Sequence, residues 1–404
     1  MQKTAIIIPD GAADYKIDGL DKKTPLEYAH KPNIDYLASF ARCGFVKTIP
    51  DGMTPESDTA ILSILGYDPK IYLKGRSPLE AASMGLVMDV SDTAFRCNLV
   101  NITENPADYE LKTITSHSAD DISTEEADVL IKFLHTKLGD NKRRFHTGVS
   151  YRHCLLWENC PKYKKFTPPH DILNRQIKEY LPEDNEYLTL MRDSFALLNN
   201  HPINLKRREN NKLPANSIWL WSPGTKTELP CFKEIYNLGA SVIAGVDLVK
   251  GIGVCAGMNS VSVPGATGNF YTDYKSKGEA AVCEFKNGRD LVFVHIEAPD
   301  ECGHQGNAKE KIASIELIDA NIIKPVFEYL NAHHTDFNIL ILPDHPTPVS
   351  LKTHTNEPVP FLFYSSREKK DSGISNFCES ETEKKSKIFI EQGSRLLDFV
   401  FSSV

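Results

Sequence analysis

The sequence predicts an α/β fold in which a mostly parallel sheet has helices on both faces and a smaller α/β domain is inserted into it. Short continuous apolar runs followed by Pro-Asp pairs alternate with amphipathic helical patterns, which is typical of parallel strands buried on both faces. Between these parts lies a more polar, less regular stretch with basic clusters. We therefore assign residues 1–88 and 231–404 to the main domain and residues 89–230 to the inserted one.

The N-terminal part of the main domain starts with a predicted strand. A β-branched run at residues 3–8 stops at a Pro-Asp-Gly turn. A helical pattern begins with a proline and covers residues 32–41, and Gly44 is placed as its stop. A strand at 45–49 and a short helix from 57 to 66 follow.

The same alternation returns in the C-terminal part. A continuous apolar strand is predicted at 290–296, and an amphipathic helix at roughly 308–330. A second buried strand at 338–342 leads into Pro-Asp-His, and a further strand is predicted at 359–364.

Composition excludes several classes of protein. There are 46 Lys and Arg against 54 Asp and Glu, a formal net charge of −8, which argues against general binding to nucleic acid. No apolar run approaches the ~18 residues of a membrane span, and the N-terminal run is too short for a signal peptide. Nine cysteines without paired spacing favour reduced thiols. We expect a cytoplasmic protein without a membrane partner.

Acidic residues follow three of the predicted strands. Asp10, Asp300 and Asp344 each come after the carboxyl end of a buried strand, the edge at which open α/β sheets bind ligands. One such aspartate is as readily explained by a helix cap or a turn. Three of them, two with histidines nearby, indicate a common site.

Histidines near these aspartates indicate a metal centre. His304 lies one helical turn after Asp300, His345 is adjacent to Asp344, and His354 follows nine residues later. A ligand set of carboxylates and imidazoles without cysteine suits Mn²⁺, Zn²⁺ or similar ions. The three aspartates and three histidines supply enough ligands for two metal ions. We interpret His295, which lies inside an apolar strand, as a core residue rather than a ligand.

Ser57 is the candidate nucleophile. It is predicted at a helix N-terminus, where free N–H groups and the macrodipole favour anions. A plain N-cap serine is the alternative. A serine hydroxyl needs a base or a metal to activate it. The predicted metal ligands would supply that metal, and Ser57 would give the metal a catalytic use.

These residues lie in segments that resemble the cofactor-independent phosphoglycerate mutases of the archaeal type, within the alkaline phosphatase superfamily. The resemblance covers nearly the whole chain in order. Its segments are residues 8–11, 54–58, 65–69, 75–81, 148–153, 264–268, 297–304 and 344–348. It implies an alkaline-phosphatase-like fold with an inserted domain that holds the substrate over the metals.

The resemblance also implies roles for single residues. Asp10, Ser57, Asp344 and His345 match the ligands of one metal, and Asp300, His304 and His354 match those of the other. Ser57 matches the serine that is transiently phosphorylated. The residues that we expect to bind the anionic substrate are Arg152, His153, Arg76 and Lys250.

The implied reaction is the interconversion of 3-phosphoglycerate and 2-phosphoglycerate through phosphoserine. We expect two divalent ions, with Mn²⁺ favoured and Zn²⁺, Mg²⁺ or Co²⁺ as alternatives, no 2,3-bisphosphoglycerate, and a small phosphorylated carboxylic acid as substrate. Glu56 departs from the family, in which we expect glycine before the serine.

Two alternatives remain open. The same site can serve another phosphoryl transferase: a phosphatase, another phosphomutase, or a kinase of a small alcohol such as homoserine. A metal-binding protein without turnover is the second alternative, which the complete set of six ligands and Ser57 disfavours. The sequence does not predict an oligomeric state.

Overall fold

The computed structural model describes residues 2–164, 166–369 and 371–402. Its strands are β1 Lys3–Pro9, β2 Arg42–Val46, β3 Asp92–Ile102, β4 Ile114–Ser116, β5 Arg143–Val149, β6 Arg152–Glu158, β7 Ser217–Thr225, β8 Ala240–Ile243, β9 Asn259–Val261, β10 Leu291–Ile296, β11 Phe337–Ile341, β12 Val359–Ser365 and β13 Ile388–Ile390. Its α-helices are α1 Pro25–Tyr28, α2 Pro32–Ser39, α3 Ser57–Ile64, α4 Pro69–Tyr72, α5 Arg76–Ser83, α6 Thr124–Leu138, α7 Asn185–Leu198, α8 Pro202–Glu209, α9 Phe232–Tyr236, α10 Asp247–Cys255, α11 Tyr274–Lys286, α12 Ala298–Gln305, α13 Ala308–Ile318, α14 Lys324–His333, α15 Glu379–Lys385 and α16 Leu396–Ser402.

The chain forms two compact units. The first combines the residues up to Leu73 with those from Glu228 onward, and the second is Lys74–Thr227. The first junction therefore precedes the predicted boundary at 88/89. The reason is that α5 belongs to the second unit, where Ala81 packs in a small apolar cluster with residues of β3 and β6.

The first unit is built on the mostly parallel sheet that the sequence predicts. The strand order is β13-β2-β12-β11-β1-β10-β8-β9, and only β12 runs antiparallel to its neighbours. Buried aliphatic residues on β1, β10 and β11 form one core with α2, α11, α13 and α14. The predicted strands at 290–296, 338–342 and 359–364 are confirmed within one or two residues as β10, β11 and β12.

The predictions around residue 44 are wrong in detail. Helix α2 ends at Ser39, and Gly44 lies inside β2 rather than after the helix. A Cβ at Gly44 would lie 2.6 Å from the carbonyl oxygen of Ile388 and 2.9 Å from the ring of Phe361. The glycine therefore permits close packing of neighbouring strands and does not terminate a helix.

The predicted helix at 308–330 is confirmed, with an irregularity. Helices α13 and α14 are joined by a π-helical turn at Asp319–Ile323, so the helical path continues to His333. The carboxylate of Asp319 in this turn accepts hydrogen bonds from the backbone N–H groups of Asn33 and Ile34, which begin α2. The turn thus holds the N-terminus of another helix.

The second unit has an antiparallel sheet. Its strand order is β4-β3-β6-β5, with β7 paired to the other side of β3. Helices α6 and α7 contribute apolar residues to a separate core that includes Phe95, Trp157 and Trp219. Among the residues of both units that the structure describes, no helix has the length and apolar run needed to cross a membrane.

Candidate active site

The three predicted aspartates meet at one edge of the main sheet. Strand β1 pairs in parallel with both β10 and β11, with Pro9 opposite Ile296 and Ile7 opposite Ile341. The carboxyl ends of the three strands are therefore adjacent. Asp10 follows β1 directly, Asp300 lies in the first turn of α12 after β10, and Asp344 lies three residues after β11.

One group of possible ligands consists of Asp300, His304 and His354. The Asp300 carboxylate lies 3.3 Å from Nε2 of His304 through Oδ2 and 3.3 Å from Nε2 of His354 through Oδ1. The two Nε2 atoms are 2.8 Å apart. One ligand atom from each of the three residues lies within 4.8 Å of the others, a spacing at which they can hold one metal ion.

The outer nitrogens of these two rings face backbone carbonyl oxygens. Nδ1 of His304 is 3.1 Å from the oxygen of Lys352, and Nδ1 of His354 is 2.7 Å from that of Pro55. A carbonyl only accepts, so both rings carry their proton on Nδ1 when neutral, and their Nε2 lone pairs face each other. A metal ion beside the pair, about 2.1 Å from each nitrogen, would accept both lone pairs, and metal-binding histidines commonly make this outer hydrogen bond. The residues present thus fit a metal ion.

The second group consists of Asp10, Asp344 and His345, all fully buried. Nε2 of His345 lies 3.7 Å from Oδ1 of Asp10 and 3.4 Å from Oδ2 of Asp344. The hydroxyl of Ser57 is 3.2 Å from the same nitrogen. The structure therefore brings together all seven residues for which a metal-binding role was predicted, in two adjacent groups.

The electrostatics of the second group also fit a cation. Burial, and next the negative charge of Asp344, raise the pKa of Asp10 well above its usual value. Both carboxylate oxygens of Asp10 and Oδ2 of Asp344 are buried without a hydrogen-bond donor among the described residues. Buried carboxylates without donors are costly, and a divalent ion would compensate them.

Backbone and side-chain contacts hold these ligands in place. Oδ1 of Asp344 accepts hydrogen bonds from the backbone N–H groups of Gly11 and His345, and the Thr347 hydroxyl donates to Asp300. Gly11 has φ of +62°, and a Cβ there would lie 2.7 Å from Cα of Asp300. Only glycine allows the turn after β1 to approach α12 this closely.

Ser57 is the first residue of α3, as the sequence predicts. It is half-buried, and its hydroxyl lies at the end of the helix where backbone N–H groups are free of intrahelical partners. Glu56 precedes it in an extended conformation, with its carboxylate 3.8 Å from Nδ1 of His354 and about half exposed. The unexpected glutamate thus adds negative charge beside the Asp300 group.

In the second unit, Arg76 and Arg152 lie in a cluster of cations. Glu80 accepts a hydrogen bond from Nε of Arg76 at 2.9 Å, and its other oxygen pairs with Nε of Arg96 at 2.9 Å. Arg152 is a further positive neighbour of Glu80. The guanidinium of Arg96 also lies 4.1 Å from the ring centre of Trp221. Three guanidinium groups therefore surround one carboxylate, which leaves a surplus of positive charge.

Arg96 was not predicted, although the sequence contains a signal for it. It interrupts the apolar residues Ala94, Phe95 and Cys97 in a strand that turns out to be buried. A charged residue in such a run needs a partner, and Glu80 supplies it.

His153 is not brought to the arginine cluster. It neighbours Arg152 on β6, so its side chain points to the opposite face of the sheet. The ring is 4% exposed, and its Nδ1 accepts a hydrogen bond from the backbone N–H of Gly148 in the same hairpin. Burial lowers the pKa of His153 to about 3. The structure thus places the His153 ring in the hairpin, on the face of the sheet opposite Arg152, and its contact with the substrate stays a prediction.

Lys250 lies on α10 in the first unit, 3.5 Å from Asp247 and partly buried. It is a positive neighbour of Lys277, which is fully buried on α11 and has Glu297 as its nearest negative charge. Glu297 precedes α12 in the same unit.

The interpretation of His295 as a plain core residue is incomplete. Its ring is fully buried in β10, but Nε2 lies 3.0 Å from Oδ2 of Asp10 and Nδ1 lies 4.0 Å from Oε2 of Glu297. Asp10, His295 and Glu297 form a third group in which one ligand atom from each lies within 4.8 Å of the others. The sequence does not indicate that His295 belongs to such a group, because its neighbours along β10 are all core residues.

The chain is similar to known proteins over almost its entire length. It is 46% identical to the 2,3-bisphosphoglycerate-independent phosphoglycerate mutase of Methanosarcina barkeri over 98% of each chain. It is 41% identical to a probable enzyme of the same name from Geobacter sulfurreducens over 98% of this chain and 99% of the other. Residues 38–204 match the family model described as 2,3-bisphosphoglycerate-independent phosphoglycerate mutase.

The chain belongs to the 2,3-bisphosphoglycerate-independent phosphoglycerate mutase family. A solved structure of a cofactor-independent phosphoglycerate mutase from Thermoplasma acidophilum matches all of this chain and all of its own, with a TM-score of 0.66 and 25% identity. A protein of Pyrococcus horikoshii matches 99% of this chain and 97% of its own, with a TM-score of 0.79 and 29% identity. The predicted family and fold class are thereby confirmed.

Family membership also agrees with the expectation that 2,3-bisphosphoglycerate is not required, since independence from it is part of the family's description. The two groups at the sheet edge are candidate metal-binding groups.

Proposed function

We propose that this protein interconverts 3-phosphoglycerate and 2-phosphoglycerate through a phosphoserine at Ser57. The observation that carries the proposal is the position of the Ser57 hydroxyl, 3.2 Å from Nε2 of His345 at the start of α3 and beside two groups of metal ligands. The family name of relatives that cover the whole chain supports the same reaction.

Two divalent ions complete the proposed site, one held by Asp10, Ser57, Asp344 and His345 and the other by Asp300, His304 and His354. When bound, they supply positive charge to the serine oxygen and to the phosphoryl oxygens. Mn²⁺ is the ion we propose, because mixed carboxylate and imidazole ligands suit it; Zn²⁺, Mg²⁺ and Co²⁺ remain alternatives.

Ser57 Oγ accepts the phosphoryl group in the first half of the proposed reaction. The bond between phosphorus and the substrate's C3 oxygen breaks as the bond to Oγ forms, and glycerate gains the proton that the serine loses. In the second half the C2 hydroxyl of glycerate takes the phosphoryl group, and Ser57 regains a proton. The free N–H groups at the start of α3 bind the phosphoryl oxygens in both halves.

Arg76 and Arg152 are the proposed anion-binding residues of the second unit, with Arg96 added to them. A planar guanidinium can bind a carboxylate or a phosphate through two hydrogen bonds. Glu80 neutralises one of the three charges and orients Arg76 and Arg96 through its two oxygens. Lys250 is proposed to contribute charge in the first unit. A small phosphorylated carboxylic acid as substrate and a cytoplasmic location complete the proposal.

An assay of product identity tests this function. Metal-free protein is loaded with Mn²⁺ and incubated with 3-phosphoglycerate, without ATP and without 2,3-bisphosphoglycerate, and both 2-phosphoglycerate and inorganic phosphate are measured. We expect 2-phosphoglycerate at a far higher rate than phosphate. Release of phosphate alone would identify a phosphatase and would contradict the proposal, as would a strict requirement for ATP.

A further inference from the structure

We propose that Asp10, His295 and Glu297 form a third divalent-cation site, which shares Asp10 with the Asp344–His345 group. The proposal goes beyond the two ions of the proposed mechanism. It rests on the contacts of His295 and does not depend on which reaction the protein catalyses.

The first argument is the unsatisfied ring of His295. The side chain is completely buried, and among the described residues neither of its nitrogens makes a hydrogen bond. A buried imidazole without any partner is costly, and most buried polar groups in folded proteins have one. The ring instead has a carboxylate on each side, that of Asp10 and that of Glu297.

The second argument is the distance between His295 and Asp10. Nε2 and Oδ2 are 3.0 Å apart, yet the ring is not oriented for a hydrogen bond between them. Two atoms that each lie about 2.1 Å from one ion, at about 90° to each other, are about 3.0 Å apart. A lone pair directed at such an ion points beside the neighbouring oxygen rather than at it. The arrangement of Nε2 and Oδ2 matches that of two ligands of one ion.

The third argument is the way the two oxygens of Asp10 are divided. Oδ1 lies 3.7 Å from Nε2 of His345, whereas Oδ2 lies 3.0 Å from Nε2 of His295. Neither oxygen has a hydrogen-bond donor among the residues that the structure describes. The carboxylate therefore faces one ligand group with each oxygen, which is the geometry of a bridging carboxylate.

Glu297 supplies the third ligand and gives the site access to solvent. Its side chain is about a quarter exposed, whereas those of Asp10 and His295 are fully buried. One imidazole and two carboxylates suit a borderline divalent ion such as Mn²⁺. Lys277 places positive charge near Glu297, so we expect this ion to bind more weakly than the other two.

Counting bound ions tests the proposal. Metal-free wild-type protein and the Glu297→Gln variant are dialysed to equilibrium against increasing Mn²⁺, and the bound metal per folded chain is determined by elemental analysis. The third site predicts that, at Mn²⁺ concentrations that saturate the wild type, the wild type binds one more ion than Glu297→Gln. Glu301→Gln is the matched control. Glu301 lies four residues after Glu297, accepts a hydrogen bond from the side chain of Gln305 and belongs to none of the three groups.

His295→Gln and a diffraction experiment complete the test. His295→Gln is expected to lose the same ion as Glu297→Gln, and Mn²⁺-soaked crystals of the wild type are expected to show an anomalous peak bonded to Oδ2 of Asp10, His295 and Glu297. Equal metal counts in the wild type and both variants at every Mn²⁺ concentration would overturn the proposal. So would variants that only weaken the ions common to all proteins, because His295 and Glu297 would then merely position Asp10.

Discussion

Nε2 of His304 lies 2.8 Å from Nε2 of His354, while the Nδ1 atom of each ring faces a backbone carbonyl oxygen. Two imidazole lone pairs held against each other need positive charge, which either a proton on one ring or a metal ion beside both nitrogens supplies. The Asp300 carboxylate, 3.3 Å from both nitrogens, completes the ligand group. The relationship of these two histidines is the clearest sign in the fold that the sheet edge is built to bind metal.

Replacing His354 tests this group. We expect His354→Ala to bind one Mn²⁺ fewer than the wild type and to lose at least about 100-fold in kcat/KM, because a ligand is lost and the remaining ones are no longer held together. Elemental analysis and the mutase assay measure the two effects. His333→Ala, at the exposed end of α14, is the control. Unchanged metal content in His354→Ala would refute the assignment.

Arg152 is the exposed member of the arginine cluster, so its replacement tests anion binding with little effect on the fold. We expect Arg152→Ala to lower kcat/KM for 3-phosphoglycerate by about 10- to 100-fold, since a charge-assisted hydrogen bond contributes about 1.5–3 kcal/mol. Arg152→Lys should recover only part of the loss, because lysine lacks the planar fork. Steady-state kinetics measure these effects. Arg175→Ala, at an exposed arginine of the same unit, is the control. Wild-type kinetics in Arg152→Ala would exclude a role of Arg152 in substrate binding.

His153 should make the protein sensitive to acid. Burial lowers its pKa to about 3, against about 6.5 in an unfolded chain. Between these values the unfolded state binds a proton that the folded state does not, so the free energy of unfolding falls as the pH drops below 6.5. At pH 5 the contribution is ~2 kcal/mol.

We therefore expect the free energy of unfolding to fall between pH 7.5 and pH 5 in both proteins, and the fall to be about 2 kcal/mol smaller in His153→Gln than in the wild type. Urea unfolding at both pH values measures it, and His30→Gln at an exposed position is the control. The same loss in His153→Gln as in the wild type would show that the ring takes up its proton in the folded protein. Mutase activity at pH 7.5 should be near that of the wild type if His153 does not contact substrate.

Gly44 offers a test of packing in the main sheet. A Cβ at this position would lie 2.6 Å from a carbonyl oxygen of the neighbouring strand β13, a backbone atom that cannot rotate away. We expect Gly44→Ala to lower the free energy of unfolding by about 1–3 kcal/mol, the usual cost of overpacking. Gly19→Ala, where no heavy atom lies within 4 Å, should be close to neutral in the same urea titration. Equal free energies of unfolding for the two variants would mean that β13 can shift to accommodate the extra methyl group without loss of stability.

The sequence predicts the parts of the molecule in which local pattern and chemistry agree. Asp10, Asp300 and Asp344 follow strands that are recognisable from their continuous apolar runs, and parallel pairing brings the ends of those strands together. The histidines near Asp300 and Asp344 could be found from their spacing alone. The C-terminal strands were predicted for the same reason, because burial on both faces leaves a strong signal.

The remaining features depend on contacts between distant residues. The helical pattern before Gly44 predicts a helix stop there, because the close approach of Gly44 to Ile388 and Phe361 cannot be recognised in the sequence. The apolar neighbours of His295 along β10 predict a core residue, whereas its polar contacts are with Asp10, which follows β1, and with Glu297. The adjacency of His153 and Arg152 in one motif predicts a shared role, although alternation along a strand directs their side chains to opposite faces.

The central claim is that Ser57 carries the phosphoryl group during catalysis. The most direct measurement is acid quenching of Mn²⁺-loaded protein during turnover of ³²P-labelled 3-phosphoglycerate, followed by peptide mass spectrometry. The account predicts label on Ser57 in the wild type, and neither label nor 2-phosphoglycerate formation in Ser57→Ala with its fold retained. Wild-type mutase activity in metal-loaded Ser57→Ala would contradict it.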